Sequence, residues 1–165
     1  MRIIVGYFVC ALTLLIASSG STSSGSTERS RAPPRGTIDY QLRRVQFQIG
    51  RPRADESFEE SATPPLSDQI QRLSANLQFL EESTTDLGVQ IIGATDAMEC
   101  YGAECRELSL RRAQCVYRWL VLHGLPSSKL IEPRGDGADY PIDTNESEEG
   151  RRSNRRVQFE LVPLE

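Results

Sequence analysis

The chain has 165 residues, of which 38% are hydrophobic and 25% are charged. This composition predicts one folded domain with a short remainder. Nineteen Lys and Arg residues stand against 23 Asp and Glu residues, a net charge of −4, so the overall balance does not favour a nucleic-acid partner. The single histidine, His123, offers neither a metal site nor a catalytic triad. The sequence shows no Ser-His-Asp set, metal-ligand cluster or catalytic carboxylate pair, so we expect a non-enzymatic domain with no cofactor, no metal and no catalytic residues.

Residues 1–20 have the layout of a secretory signal peptide. A charged start precedes an apolar run from Ile3 to Ile16, and small residues follow it. The run is too short to span a bilayer comfortably, so cleavage near Ser19 or Gly20 is the first interpretation. An uncleaved anchor is the second. Lipidation of Cys10 is third and disfavoured, because Cys10 lies inside the apolar run and Tyr7-Phe8-Val9 stand directly before it in place of the small residues expected before a lipidated cysteine.

Residues 21–37 are rich in Ser, Thr, Gly, Pro and charge, without apolar periodicity, and are predicted to be a flexible linker. The folded domain is expected over residues 38–165. Its first strand contains Val45, Phe47 and Ile49, which alternate with polar residues as in a half-buried strand.

A long polar loop is predicted from Gly50 to Pro64, and Thr63 is expected to cap the helix that follows. Apolar residues at helical spacing form the buried stripe of this helix: Leu66, Ile70, Leu73, Leu77 and Leu80. The short apolar run from Val89 to Ile92 lies between two glycines and is predicted to be a central strand.

A second helix is predicted from Leu108 to Leu122, ended by Gly124, with three residues on its buried face: Ala113, Val116 and Leu120. A third strand begins at Leu130-Ile131. Asn145, with Glu148 three residues later, is typical of a capping box that starts a brief helix, which Gly150 would close. The last strand is indicated by alternating apolar residues: Val157, Phe159 and Leu161.

The predicted order is therefore strand, helix, strand, helix, strand, short helix, strand. Two crossover units in succession imply an α/β fold, a two-layer sandwich in which helices cover one face of a four-stranded sheet. A domain of this length buries enough surface to form one independent core.

Three cysteines remain after the predicted leader: Cys100, Cys105 and Cys115. Export would place them in an oxidising compartment, and the first two flank the loop after Asp96, so we predict a disulfide between Cys100 and Cys105. A redox-active pair is less favoured because the spacing is not Cys-x-x-Cys. Cys115 lies within the second helix and is predicted to be a small buried apolar residue.

One carboxylate and one guanidinium stand out in the stretch from Gly93 to Ala113. Asp96 follows the central strand and Arg112 lies in the next helix, so both side chains are expected within reach of one small ligand. Asp96 can accept from an ammonium group, and Arg112 can hold a carboxylate through two parallel hydrogen bonds. An internal salt bridge that orders the loop is the other interpretation, and residue types alone favour it.

Short motifs occur in one order along the chain: Gly93-Ala94-Thr95-Asp96, Leu108-Ser109-Leu110-Arg111-Arg112-Ala113, Gly135-Asp136-Gly137, Pro141, Asn145, Gly150-Arg151 and Asn154-Arg155-Arg156-Val157. Together they resemble the OmpA-like domain, the peptidoglycan-binding module of outer-membrane proteins and peptidoglycan-associated lipoproteins. The resemblance covers roughly Val45 to Val162. It implies a mixed sheet and a location in the periplasm or at the periplasmic face of the outer membrane.

In that family the domain binds the peptide stem of peptidoglycan at diaminopimelate, whose side chain ends in an ammonium and a carboxylate. The resemblance implies that Asp96 meets the ammonium and that Arg112 meets the carboxylate. Thr95, Asn154 and Arg155 are candidates for secondary ligand contacts. Arg155 is preferred over its neighbour because strand alternation turns it to the same side as Val157.

Three features depart from the family pattern. Ala94 replaces the usual histidine, Cys105 replaces the usual asparagine, and the loop after Asp96 is about one residue longer. They motivate an alternative function, an interaction module of an envelope or secretion complex with weak or lost peptidoglycan binding. An enzyme, either a thiol oxidoreductase or a wall hydrolase, ranks last. The expected partner is peptidoglycan, with envelope proteins as further candidates and with membrane association only through the N-terminal segment or a partner.

Overall fold

The computed structural model describes residues 42–83 and 86–164. The predicted signal peptide (1–20), the predicted linker (21–37), the expected domain start at residue 38 and Cys10 lie outside the described residues. Within the two described ranges, no helix is both long and apolar enough to cross a membrane.

The described residues form a four-stranded mixed sheet with helices. In chain order the elements are β1 (Val45–Gln46), α1 (Phe58–Ser61), α2 (Leu66–Glu82), β2 (Leu87–Gly93), α3 (Ala103–Leu122), a 3₁₀ turn (Ser127–Lys129), β3 (Leu130–Gly135), α4 (Glu148–Asn154) and β4 (Arg156–Pro163). The strand order is β1-β4-β2-β3, with β4 antiparallel to β1 and β2 and with β3 parallel to β2. The predicted α/β sandwich is confirmed, with α1 as an additional short helix.

One hydrophobic core lies between the sheet and the two long helices. Alternate residues of neighbouring strands point into it, including Val89 and Ile91 of β2 and Val157 of β4, all fully buried. The helices contribute the residues that the sequence predicted: Leu73 and Leu80 from α2, and Ala113, Val116 and Leu120 from α3. All belong to one cluster of packed side chains, so α2 and α3 cover the same face of the sheet. Removal of this apolar surface from water is the main stabilising contribution to the fold.

Helix α2 also secures the edge strand through buried amide side chains. Asn76 accepts from the backbone N–H of Arg43 at 2.7 Å and donates to its carbonyl at 2.8 Å. Gln69 accepts from the N–H of Gln46 at 2.9 Å. These side chains take the place of a neighbouring strand, which explains how so short an edge strand keeps its backbone groups hydrogen-bonded.

The N-terminal predictions need three corrections. Ile49 is 64% exposed rather than buried, because the chain turns at Gly50, where φ is +65°. The predicted loop contains α1, which a capping box between Ser57 and Glu60 begins. Thr63 does not cap α2: Pro65 occupies the N-cap position with an extended backbone, so Thr63 lies too far from the first turn.

Two C-terminal predictions also change. Helix α3 begins at Ala103 instead of Leu108, directly after Gly102, which has a φ of +54°. Helix α4 is capped by Ser147, not by Asn145, and Gly150 lies in its first turn instead of ending it. Asn145 is unavailable as a cap because its side-chain oxygen accepts hydrogen bonds elsewhere in the domain.

Two glycines bring α3 directly against the ends of the central strands. Gly93 of β2 pairs with Gly135 of β3. A Cβ on Gly93 would collide with the carbonyl group of Ser109, and one on Gly135 would lie 2.5 Å from the carbonyl oxygen of Arg106. This close approach fixes the position of α3 relative to the loop that follows β2.

Candidate functional site

Asp96 lies at the end of the central strand, fully buried, and its carboxylate has three internal partners. One oxygen accepts from the backbone N–H groups of Met98 at 2.7 Å and Glu99 at 3.0 Å. The other accepts from Nη1 of Arg155 at 2.8 Å. The first pair of bonds shapes the loop after β2, and the third neutralises the carboxylate.

Arg112 projects from α3 and is also fully buried. Its five N–H groups all find acceptors. Three are backbone carbonyls: Arg51 at 2.8 Å, Ala94 at 2.9 Å and Gln48 at 3.1 Å. The other two N–H groups bind the carboxylate of Glu99 in a bidentate pair at 2.7 and 2.8 Å. The guanidinium therefore joins three segments of the chain.

Glu99 is the residue of this site that sequence reasoning missed. Its side chain has an exposed fraction of 0%, equal to that of Arg112. The sequence feature that could have indicated Glu99 is its position: it is an acidic residue three positions after Asp96, in the same loop and next to Cys100. A buried arginine requires a counter-charge, and Glu99 supplies it.

The site thus contains internal salt bridges, although not the one suggested by sequence. Asp96 pairs with Arg155, and Arg112 pairs with Glu99. Burial lowers the pKa of Arg112, while its hydrogen bonds to Glu99 oppose that shift. Burial also disfavours charged Arg155, but hydrogen bonds to Asp96 and Glu148 outweigh it and raise the pKa. Each buried guanidinium is therefore paired with one buried carboxylate.

Two of the secondary candidates carry polar atoms without partners. Thr95 is 2% exposed and Arg155 is 4% exposed. Oγ1 of Thr95 and Nε of Arg155 have no hydrogen-bond partner in the described parts of the chain. Such atoms are rare in native structures and call for a specific explanation, of which a bound ligand is one.

Asn154, the third secondary candidate, is fully buried and fully used within the protein. Its side-chain oxygen accepts from the N–H groups of Ile142 and Asp143, and its nitrogen donates to Asp143 and Asn145. Asn145 in turn accepts from the N–H of Ala97 at 3.1 Å. Asn154 therefore holds the loop before α4 against the loop that contains Asp96.

A disulfide joins Cys100 to Cys105 and closes the loop after Asp96, which confirms the predicted pairing. Next to it is an open cavity of about 420 Å³, whose lining includes Ala97, Tyr101 and Arg106. Cys115 is free and buried, as predicted, and burial raises the pKa of its thiol. Across residues 42–83 and 86–164, no group of three His, Cys, Asp or Glu side chains could hold a metal ion.

Comparison with known proteins places this fold and its motifs in a family. Residues 61–155 match the OmpA family. The chain belongs to the OmpA family. The family assignment confirms the resemblance found in the sequence, because the matched range contains Asp96 and Arg112 and ends at Arg155.

Two relatives of this OmpA-family chain share part of its length. The probable lipoprotein YiaD of Escherichia coli K12 is 38% identical over 76 residues, which cover 46% of this chain and 34% of YiaD. Outer membrane protein A of Bordetella avium is 40% identical over 107 residues, which cover 64% of this chain and 52% of that protein. The chain thus spans about half or less of the length of these relatives.

A solved structure supports the fold assignment. The peptidoglycan-associated lipoprotein from Burkholderia pseudomallei superposes with a TM-score of 0.57 over 73% of this chain and 90% of that chain. The identity is 21%, so this likeness concerns the fold.

Proposed function

We propose that this OmpA-family domain binds peptidoglycan non-covalently, without catalysing a reaction, in the periplasm or at the periplasmic face of the outer membrane. The names of its relatives, an outer membrane protein and a probable lipoprotein, support an envelope location. The structurally similar protein is named as peptidoglycan-associated. The signal peptide predicted at residues 1–20 is consistent with export.

The proposed ligand group is diaminopimelate of the stem peptide, with Asp96 for its ammonium and Arg112 for its carboxylate. One observation carries this proposal: two residues next to Asp96 have buried polar atoms without partners. They are Oγ1 of Thr95, which precedes Asp96 in the chain, and Nε of Arg155, whose Nη1 donates to Asp96. A buried polar group without a partner costs about 1–3 kcal/mol, which a ligand that binds both atoms would recover.

Both main ligand contacts lie beneath the loop from Ala97 to Gly102, so entry of the ligand requires this loop to move. Met98 and Tyr101 in that loop are 68% and 81% exposed, whereas the Glu99–Arg112 ion pair and the Cys100–Cys105 disulfide hold the loop against α3. Once the loop closes over the ligand, its charges would be shielded from water. Shielded, hydrogen-bonded charge pairs contribute more to affinity than exposed pairs do.

Co-sedimentation with purified sacculi tests the proposal. The variants are Asp96→Asn and Arg112→Lys, each of which keeps the approximate size of the side chain. Asp68→Asn and Arg118→Lys change exposed residues of the same types and serve as controls. We expect both site variants, verified as folded by circular dichroism, to sediment with sacculi at least tenfold less than the wild type. Undiminished sedimentation of both folded variants would exclude the proposed contacts.

A second candidate is an envelope interaction module with weak or lost peptidoglycan binding. The observation that favours it is that all five N–H groups of Arg112 already have acceptors inside the domain. Wild-type sedimentation no greater than that of an unrelated exported protein would support this candidate over peptidoglycan binding.

A further inference from the structure

The surroundings of Glu99 form a complete binding site for a carboxylate. Oε1 accepts from Nη1 of Arg112 at 2.7 Å and from the backbone N–H of Asp96 at 3.2 Å. Oε2 accepts from Nη2 of Arg112 at 2.8 Å and from the N–H of Gly50 at 2.8 Å. Each carboxylate oxygen of Glu99 thus has two hydrogen-bond donors, in a region closed to solvent. The same four donors would bind the carboxylate of another short aliphatic acid in the same way.

Arg112 has no second place for a carboxylate. Its remaining N–H groups are bound to the carbonyls of Gln48, Arg51 and Ala94, which belong to the main chain. These carbonyls cannot leave without moving the segment after β1 or the end of β2. A ligand carboxylate that binds Arg112 in a bidentate manner must therefore use the two nitrogens that now bind Glu99.

We propose that Glu99 determines the ligand specificity of this site by occupying the position on Arg112 that a ligand carboxylate takes. The inference rests on the proposed function and deepens it. A ligand with a terminal carboxylate, such as diaminopimelate, binds Arg112 only by displacing Glu99 into solvent.

Glu99 is a strong competitor because it is tethered next to its binding position. Cys100 follows it directly, and the disulfide to Cys105 anchors that cysteine to the first turn of α3. A group on a short tether has an effective concentration of roughly millimolar or more, which a free carboxylate must exceed. Without Glu99, Arg112 would be a buried cation without a counter-charge, and this favours uptake of a carboxylate from solution.

Substitution of Glu99 by alanine tests the inference in the full chain. Glu99→Ala removes a CH₂–COO⁻ unit, so acetate matches the group that is lost. Thermal unfolding is measured with acetate or diaminopimelate against chloride at constant ionic strength. We expect Glu99→Ala to unfold at a lower temperature than the wild type and to regain part of that loss when acetate is added, with an effect that saturates. We also expect it to bind diaminopimelate at least tenfold more tightly than the wild type does. The wild type and Glu104→Ala, which changes an exposed residue of α3, should not respond to acetate.

Glu99→Gln provides a second test, because it keeps the volume of the side chain but removes the charge. The affinity of Glu99→Gln for diaminopimelate should lie between those of the wild type and Glu99→Ala. If Glu99→Ala does not fold, the affinity of Glu99→Gln relative to the wild type tests the inference. Folded variants that bind diaminopimelate no more tightly than the wild type would overturn the inference. If acetate stabilises Glu99→Ala and this variant binds free diaminopimelate more tightly than the wild type, while no form of the protein binds sacculi, the inference stands and the proposed peptidoglycan function fails.

Discussion

Arg155 binds two carboxylates, and their different environments lead to a quantitative prediction. Asp96 is fully buried, whereas the side chain of Glu148 is 58% exposed. Asp96→Asn leaves Arg155 buried without its inner counter-charge. Removal of one partner from a buried ion pair costs about 3–5 kcal/mol. The asparagine oxygen can still accept from the loop N–H groups, so we expect the lower end, about 3 kcal/mol.

With a urea m-value of roughly 2 kcal/mol/M, a loss of about 3 kcal/mol lowers the unfolding midpoint by roughly 1.5 M. Glu148→Gln, the matched control, changes a solvent-exposed contact of the same guanidinium and should lower the midpoint much less than Asp96→Asn does. The assay follows the fluorescence of Trp119, the one tryptophan of the chain, which is 5% exposed and stacks on His123. Equal shifts for the two variants would refute the assignment of Asp96 as the buried partner.

Three further predictions concern other parts of the domain. Replacement of both Cys100 and Cys105 by serine should lower the free energy of unfolding, measured in urea, by roughly 2 kcal/mol, as expected for a small closed loop. An unchanged free energy of unfolding would show that the disulfide does not constrain the loop. Hydrogen bonds from the backbone and side chain of Ser57 lower the pKa of Glu60 below its ordinary value of 4.5. The ionised Glu60 side chain therefore stabilises the fold fully above pH 4.5, and this contribution is lost as the pH falls through the lowered pKa. The difference in urea midpoint between wild type and Glu60→Gln should therefore vanish in acid, and a pH-independent difference would contradict this. The buried thiol of Cys115 should react with a maleimide only after unfolding, as peptide mass mapping can detect, and rapid labelling of the native protein would contradict its burial.

The fold could be predicted from sequence because its main elements have clear periodicity. The helical stripe that contains Leu73 and the alternating strand that begins at Val157 both face the core. Element ends were less predictable. Ser57 and Glu60 form a capping box that was present in the sequence but overlooked, whereas the exposure of Ile49 depends on a turn that periodicity does not reveal.

The candidate site was predicted in part. The sequence predicted Asp96 just after the central strand, Arg112 in the next helix and the disulfide between Cys100 and Cys105, and the structure has these features in those positions. The role of Asp96 and Arg112 in binding a ligand stays a prediction. The sequence did not identify which opposite charges they contact. Two ion pairs depend on how the loop between β2 and α3 folds: Arg112 with Glu99, and Asp96 with Arg155. Side-chain contacts of this kind leave no periodic pattern in the sequence.

The most direct test of the central claim compares sacculi whose stem peptides carry diaminopimelate with sacculi that carry lysine at the same position. Lysine retains the ammonium group but lacks the carboxylate proposed to meet Arg112. We predict that the wild type sediments more with diaminopimelate sacculi, that Glu99→Ala increases this preference, and that folded Arg112→Lys abolishes it. Equal sedimentation of the wild type and Glu99→Ala with both kinds of sacculi would contradict the account.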